Sequence, residues 1–265
     1  MTLFASKRVV CLGILCLASA GAGLRAASLI LGDPPMQGTG NCDPFGCPGF
    51  IGLGTYQQVY LSTSFPGTIS ISGLTFFESQ VLTNGGVPSG GTYTLTFSYT
   101  TAAPGDLSLT SPGANIGPGS EEFFSGTLPP LTPIAAGNIL VIPGTPFVYD
   151  PADGNLLITV SITGATNSGP ALFLNEDQCG PKTFCPPGTS VVSSNAYFGF
   201  QNGQPVSGGN DIGGLVTGFD YLSLAVPEPV SWLMVLGGIG LIGFKKRRKC
   251  ALSRQSRRGN HLPLS

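Results

Sequence analysis

The stretch GTYTLTFSYT, residues 91–100, carries the clearest structural signal in the chain. Its large apolar side chains alternate with Thr and Ser, so in an extended conformation the two kinds face opposite sides. A period of two predicts a β-strand with one face in a core. Similar short runs occur at residues 55–62, 68–77, 122–128, 138–142, 155–162, 171–174, 196–201 and 215–224.

Turn-forming residues separate these runs, as in NGG at 84–86, PGD at 104–106 and DGN at 153–155. The chain has 265 residues, with Gly 40 and Pro 23, and no helix-length amphipathic segment lies between residues 28 and 226. Around nine short strands in about 200 residues are typical of an all-β fold with two packed antiparallel sheets. We therefore predict an antiparallel β-sandwich, jelly-roll-like, over residues 55–225.

The charges are divided unevenly along the chain. Between residues 28 and 226, Lys182 is the only cation beside twelve Asp and Glu residues, so the net charge of this body is −11. Nucleic-acid affinity depends on Lys and Arg that displace condensed counterions. The body is therefore predicted to bind no nucleic acid.

The N-terminus has the pattern of an export leader. Lys7 and Arg8 precede an apolar run at residues 9–22, and small residues follow. We assign residues 1–27 as a signal peptide for the Sec export machinery, cleaved near Ala26 or Ala27, with Ala22 as the alternative site. A buried core helix is the other interpretation of the same run.

Export would place the body in an oxidising compartment, where an even number of cysteines favours disulfides. Four cysteines lie between the two terminal regions, and their close spacings favour two local bridges, although three pairings are open. A zinc site is the rival, but the spacings and the lack of a nearby His argue against it. The disulfide candidates are Cys42 and Cys47, in a Gly/Pro-rich lead-in over residues 28–54 that is expected to be loop-like, and Cys179 and Cys185.

The C-terminus has three elements in a fixed order: a proline-flanked glutamate, an uncharged apolar run at residues 230–244, and a basic cluster. Fifteen helical residues span about 22 Å, and snorkelling lysines or local thinning could extend this to a hydrocarbon core of about 30 Å. The basic cluster is expected to stay cytoplasmic, which leaves the body across the membrane. The motif is Val226, Pro227, Glu228 and Pro229, and the cluster is Lys245, Lys246, Arg247, Arg248 and Lys249.

This tripartite tail, residues 226–249, resembles the PEP-CTERM sorting signal of Gram-negative bacteria. The resemblance implies recognition by an exosortase, a membrane cysteine transpeptidase that cuts near the motif and passes the protein to the cell surface or the extracellular polymer. A basic cytoplasmic tail, residues 250–265, follows. A generic single-pass anchor and a nucleic-acid patch in the tail are the alternatives.

The body lacks the residues of several catalytic mechanisms. The only His is His261, in the basic tail, which removes imidazole-based catalysis and His-ligated zinc from the exported part. What remains is carboxylate chemistry, such as a glycosidase pair. Its candidates are Glu121, Glu122, Asp150, Asp153, Glu176, Asp177, Asp211 and Asp220.

The turn containing Asp150, Asp153 and Asn155 is a candidate site for a calcium ion with a structural role. Calcium binds carboxylate, amide and carbonyl oxygens, which such loops supply. Asx turns explain these residues equally well, and residues 175–177 have the same two interpretations.

Taken together, these features predict an exported, non-catalytic surface or matrix protein with a structural or interaction role beside exopolysaccharide. The first alternative is a carbohydrate-binding module that uses strand tyrosines as sugar platforms, although strand aromatics are more often core. A glycoside hydrolase is the second alternative.

Overall fold

A computed structural model describes residues 26–32, 39–47, 52–79, 85–167, 169–177, 192–201, 204–209 and 213–224. All of them belong to one compact unit, Leu24–Val226. The described residues contain three short 3-10 segments and no α-helix. The 3-10 segments are Ser62–Ser64, Pro112–Asn115 and Pro151–Asp153.

The described residues form thirteen strands, which loops and the 3-10 segments connect. Wherever two of these strands are hydrogen-bonded to each other, they run antiparallel. They are β1 (Ala26–Leu31), β2 (Thr39–Asn41), β3 (Leu53–Tyr60), β4 (Ile69–Phe77), β5 (Gly90–Thr100), β6 (Glu121–Gly126), β7 (Thr132–Ile134), β8 (Gly137–Tyr149), β9 (Asn155–Thr166), β10 (Leu174–Glu176), β11 (Ser193–Gln201), β12 (Gln204–Gly209) and β13 (Thr217–Ser223). The all-β prediction is confirmed.

These strands form two large sheets and one small one. The first sheet has the order β1-β13-β4-β8-β7, and the second has the order β12-β11-β3-β9-β5-β6. The short strands β10 and β2 pair separately. In the fold, β1 runs against the last strand, with Ala26 opposite Leu222, so the chain enters and leaves the first sheet at the same end.

The two large sheets share one hydrophobic core, to which both contribute buried residues. Ring contacts cross between the sheets, with centroid distances of 5.2 Å for Phe97 and Phe147 and 5.1 Å for Tyr60 and Phe219. Burial of aromatic and aliphatic side chains is the main favourable term in folding. The alternation within residues 91–100 is confirmed in β5, where Tyr93, Leu95 and Phe97 are fully buried.

The second sheet is also partly covered on its outer face, the one that points away from the first sheet. A loop at residues 101–119 packs Leu107 against Val59 and Leu157 in a second, smaller apolar cluster. As a result Ser98, which the period-two pattern places on the solvent side, is 1 % exposed.

All nine runs predicted as strands overlap strands of the structure, and β1, β2, β7 and β12 were not predicted. Ala26 and Ala27, assigned to the leader, begin β1 and pair with Leu222 and Tyr221. The lead-in at 28–54, expected to be loop-like, therefore contributes strand residues from both β1 and β2.

Among the described residues, no helix is long and apolar enough to cross a membrane. The predicted span at residues 230–244 lies outside them.

Candidate functional site

Several predicted sites fall outside the described residues. These are the sorting motif at 226–229, the basic cluster at 245–249, the tail at 250–265, the cysteines Cys179 and Cys185, the carboxylate candidate Asp211, and the leader up to residue 25. Their assignments remain predictions from the sequence.

The lead-in carries one disulfide. Cys42 and Cys47 are bonded, with their Cα atoms 5.3 Å apart, as the short spacing favoured. Asp43 lies between them, and its Oδ1 is 3.5 Å from Cys47 Sγ. The three side chains form a group that could surround a metal ion. With the two sulfur atoms joined, however, the Asp43 carboxyl is the one remaining charged ligand in that group.

The predicted calcium turn uses its side chains to fix the backbone. An Asp150 carboxylate oxygen accepts a hydrogen bond from the Ala152 N–H at 3.0 Å, which is an Asx turn. Asn155 Oδ1 accepts from the Ser62 N–H at 2.9 Å, and its Nδ2 donates to the Ala102 carbonyl at 2.9 Å. Asn155 thus ties two neighbouring loops to the start of β9 through long-range bonds, which differ from the local Asx turn at Asp150.

The acids at 176–177 lie inside the molecule. Glu176 and Asp177 are 4 % and 2 % exposed, so a bound polymer has little access to either carboxyl. Glu176 Oε1 accepts a hydrogen bond from Asn41 Nδ2 at 3.1 Å, across the β2–β10 pair. Asp43 is the third carboxyl close enough to act on Glu176 electrostatically.

Burial governs the ionisation of this acidic group. Desolvation raises the pKa of Glu176 to about 7; repulsion from Asp177 and Asp43 adds to the rise, and the Asn41 hydrogen bond opposes it. Desolvation also raises the pKa of Asp43 to about 6. The parts of the chain that the structure describes contain no Lys, Arg or His. Among these residues no cation offsets the repulsion, and protonation of a carboxyl relieves it.

A buried polar network lies beside these acids. Tyr56 donates to Gln58 at 2.6 Å, and Gln58 in turn donates to Tyr60 at 2.6 Å and to the Leu215 carbonyl at 2.8 Å. Tyr60 is 2.6 Å from the Thr217 hydroxyl. Because every distance lies in the range of a formed hydrogen bond, the network joins β3 to the segment leading into β13. Its role is to hold the core together.

Four of the seven tyrosines are closed to a sugar, and the other three, Tyr99, Tyr197 and Tyr221, are half-buried. Tyr56, Tyr60, Tyr93 and Tyr149 are at most 2 % exposed, so they belong to the core. The aromatic ring that stands out of the described surface is Phe200, which is 63 % exposed. The sequence prediction missed this residue, although it ends the alternating run of β11.

Phe200 borders a groove on the outer side of the second sheet. The groove, here called the β11 groove, has a volume of about 280 Å³. It runs between the β11–β12 hairpin and the loop at 101–119, and none of its lining side chains carries a charge. Its apolar walls are Phe198, Phe200, Val206, Leu109 and Pro112, and its hydroxyls come from Thr55, Thr110 and Ser207.

One wall of the groove is fixed by a hydrogen-bonded amide pair. Gln57, fully buried on β3, donates to the Pro112 carbonyl at 3.0 Å and to the Thr159 hydroxyl at 3.1 Å. Asn115 donates to Gln57 Oε1 at 2.8 Å and accepts from the Ser108 N–H at 2.7 Å. These bonds hold the covering loop against the sheet, so the wall exists before any ligand binds.

The other wall lies where the pairing of β11 with β3 is irregular. The register shifts between Phe198 and Gly199, and the extra residue, Gly54, lies on β3. A Cβ at Gly199 would lie 2.6 Å from the Gly52 carbonyl oxygen, so only glycine permits this close approach. The Phe200 N–H donates to the same carbonyl at 3.1 Å. Because β11 pairs with β12 without a break, Phe200 faces the same side of the sheet as Phe198.

No family model, curated protein or solved structure matches this chain.

Proposed function

We propose that this chain is an exported, non-catalytic protein displayed at the cell surface or in the extracellular matrix, where it has a structural or interaction role beside exopolysaccharide. An exosortase would process it after the Sec machinery has exported it. Until that cut is made, the C-terminal helix would anchor the body to the inner membrane. Nucleic acid is not among its partners, because the body has a net charge of −11.

The proposal also takes in the finer features of the fold. The two packed sheets would form a jelly-roll-like sandwich, flanked by the signal peptide and by a single membrane-spanning sorting helix.

The observation that carries the proposal is the order of elements in residues 226–249. A proline-flanked glutamate, an uncharged run and a basic cluster follow the last strand directly. The prolines at 227 and 229 disfavour helix on both sides of Glu228. An extended, accessible segment is what a membrane protease needs.

The experiment compares Glu228→Gln with Glu122→Gln, which changes an exposed glutamate of β6. Both variants are expressed in the native host, and the medium, surface and membrane fractions are probed with an antibody to the body. We expect the Glu228 variant to accumulate as a longer, membrane-bound form, and the control to be released like the wild type. Unchanged release of a shortened Glu228 variant would refute the sorting role.

A carbohydrate-binding role is the second candidate, and the β11 groove favours it. An exposed aromatic ring beside hydroxyl groups is a common chemical solution for holding a sugar, whose ring carries both C–H and O–H groups.

A further inference from the structure

We infer that the β11 groove binds a short stretch of an uncharged polysaccharide, with one pyranose ring stacked on Phe200. This inference rests on the proposed interaction role and names its ligand class and site. It does not depend on sorting, because binding can be measured on purified protein.

The first support is the exposure of Phe200. A phenyl ring that is 63 % exposed leaves apolar surface in contact with water. Covering the ring with the C–H face of a sugar removes that surface from water, which favours binding. The other exposed large apolar side chains of the described residues are aliphatic: Ile30, Val87, Ile116, Ile134 and Val148. None of these offers a flat platform.

The second support is the polar lining. Thr55, Thr110 and Ser207, each of which carries a hydroxyl, line the groove together with the ring. Hydroxyls donate and accept, so they suit sugar hydroxyl groups, which do the same. A peptide strand could also use such groups, but it would pair along the outer edge of β12, the edge strand of the second sheet, rather than on the face that carries Phe200.

The third support is charge, which selects the class of polymer. The groove lining contains no charged side chain, and the body around it has a net charge of −11. An anionic polysaccharide would approach a negative surface without a single cationic partner in the groove. A neutral polymer is not repelled by the negative surface.

The fourth support is pre-organisation. Gln57 and Asn115 fix the Pro112 wall, and the backbone that carries Phe200 is held by its pairing with β12 and by the hydrogen bond to the Gly52 carbonyl. The volume of about 280 Å³ is slightly below that of enclosed ligand pockets, about 300–1,000 Å³. An open, pre-formed groove of this size suits a few sugar units of a polymer rather than an enclosed metabolite.

The experiment is affinity electrophoresis of the full-length protein in a non-ionic detergent. The gels contain hydroxyethyl cellulose, dextran or galactomannan as neutral polymers, and alginate as the anionic one. We expect at least one neutral polymer to retard the wild type, with no effect of added salt, and alginate to have no effect.

The variants are Phe200→Ala, Phe200→Trp and the control Ile116→Ala. Ile116 is 40 % exposed and lies in the covering loop but outside the groove lining. We expect Phe200→Ala to weaken binding by roughly tenfold or more, the range for loss of an aromatic anchor. Phe200→Trp should retain binding because it keeps a flat ring, and the control should bind like the wild type.

Three outcomes would overturn the inference. These are retardation by alginate alone, no retardation by any neutral polymer, and equal binding by Phe200→Ala and the wild type. Sedimentation analysis completes the test. If Phe200→Ala changes the oligomeric state and no polymer binds, the groove is a contact between two copies of the chain. Failure of any of these tests leaves the Glu228 experiment intact, so the two proposals fail separately.

Discussion

Replacing Glu176 by Gln should stabilise the protein above neutral pH. The side chain is buried beside two other carboxyls, and these conditions raise its pKa from 4.5 to about 7. Below pH 4.5 the carboxyl is protonated in the folded and unfolded states alike. Between about 4.5 and 7 the unfolded chain loses this proton while the folded chain keeps it, so stability falls as the pH rises.

The size of the effect follows from the same pKa change. Ionising this group in the folded state costs about 3 kcal/mol relative to the unfolded chain. The amide of Gln never ionises and can still accept the hydrogen bond from Asn41. We therefore expect Glu176→Gln to raise the free energy of unfolding by about 3 kcal/mol at pH 8, with little change at pH 4.

The assay is urea unfolding of residues 24–226 at pH 4, 6 and 8, followed by circular dichroism. Glu122→Gln is the control, since it removes an exposed carboxyl from β6. Asp43, whose pKa is raised to about 6, contributes with the same sign, so the variant should retain part of the pH dependence. A variant at pH 8 that is no more stable than the wild type would refute the reasoning, as would wild-type stability that rises from pH 5 to pH 8.

Two further predictions concern the lead-in and the covering loop. Replacing Cys42 and Cys47 together by Ser should lower the free energy of unfolding by about 2 kcal/mol, because the bridge restrains a short loop in the unfolded chain; an unchanged urea midpoint would argue against this. Gln57→Ala should cost about 2–3 kcal/mol and speed proteolysis within residues 101–119, because it leaves Asn115 and the Pro112 carbonyl without their partner. Ser72→Ala, at an exposed position on β4, is its control, and equal cleavage rates in the two variants would contradict the role given to Gln57.

The strands with clear alternation were predictable from the sequence because their side chains face either a core or solvent. β5 is the best example. β7 and β12 were missed because they are short or carry Pro and Gly, which weaken a strand pattern and are tolerated at sheet edges. β1 was missed for a different reason, since its first residues also fit the small-residue end of an export leader.

The prolines of β8 illustrate how tertiary position decides a strand. Pro143 and Pro146 interrupt the apolar run, and the sequence pattern ended the strand at residue 142. In the structure β8 continues to Tyr149. β7 pairs only with residues 137–139, so both prolines lie beyond that pairing, and Pro146 lies in a bulge of residues 144–146 opposite Ser72 of β4.

The candidate site was less predictable than the fold. A sequence does not show that Glu176 and Asp177 are buried or that Phe200 is exposed, because both depend on pairing between distant strands. The loop that covers the second sheet is held by Gln57 and Asn115, which are 58 residues apart in sequence. The alternation of Phe198 and Phe200 was visible, but the bulge at Gly54, opposite Gly199, was not.

The most direct test of the display proposal is the intact mass, under non-reducing conditions, of the protein recovered from the native host. The proposal predicts an extracytoplasmic product that begins between residues 23 and 28, ends near Glu228 and contains oxidised Cys42 and Cys47. A full-length product in the cytosol, with its leader uncut and its thiols reduced, would contradict it.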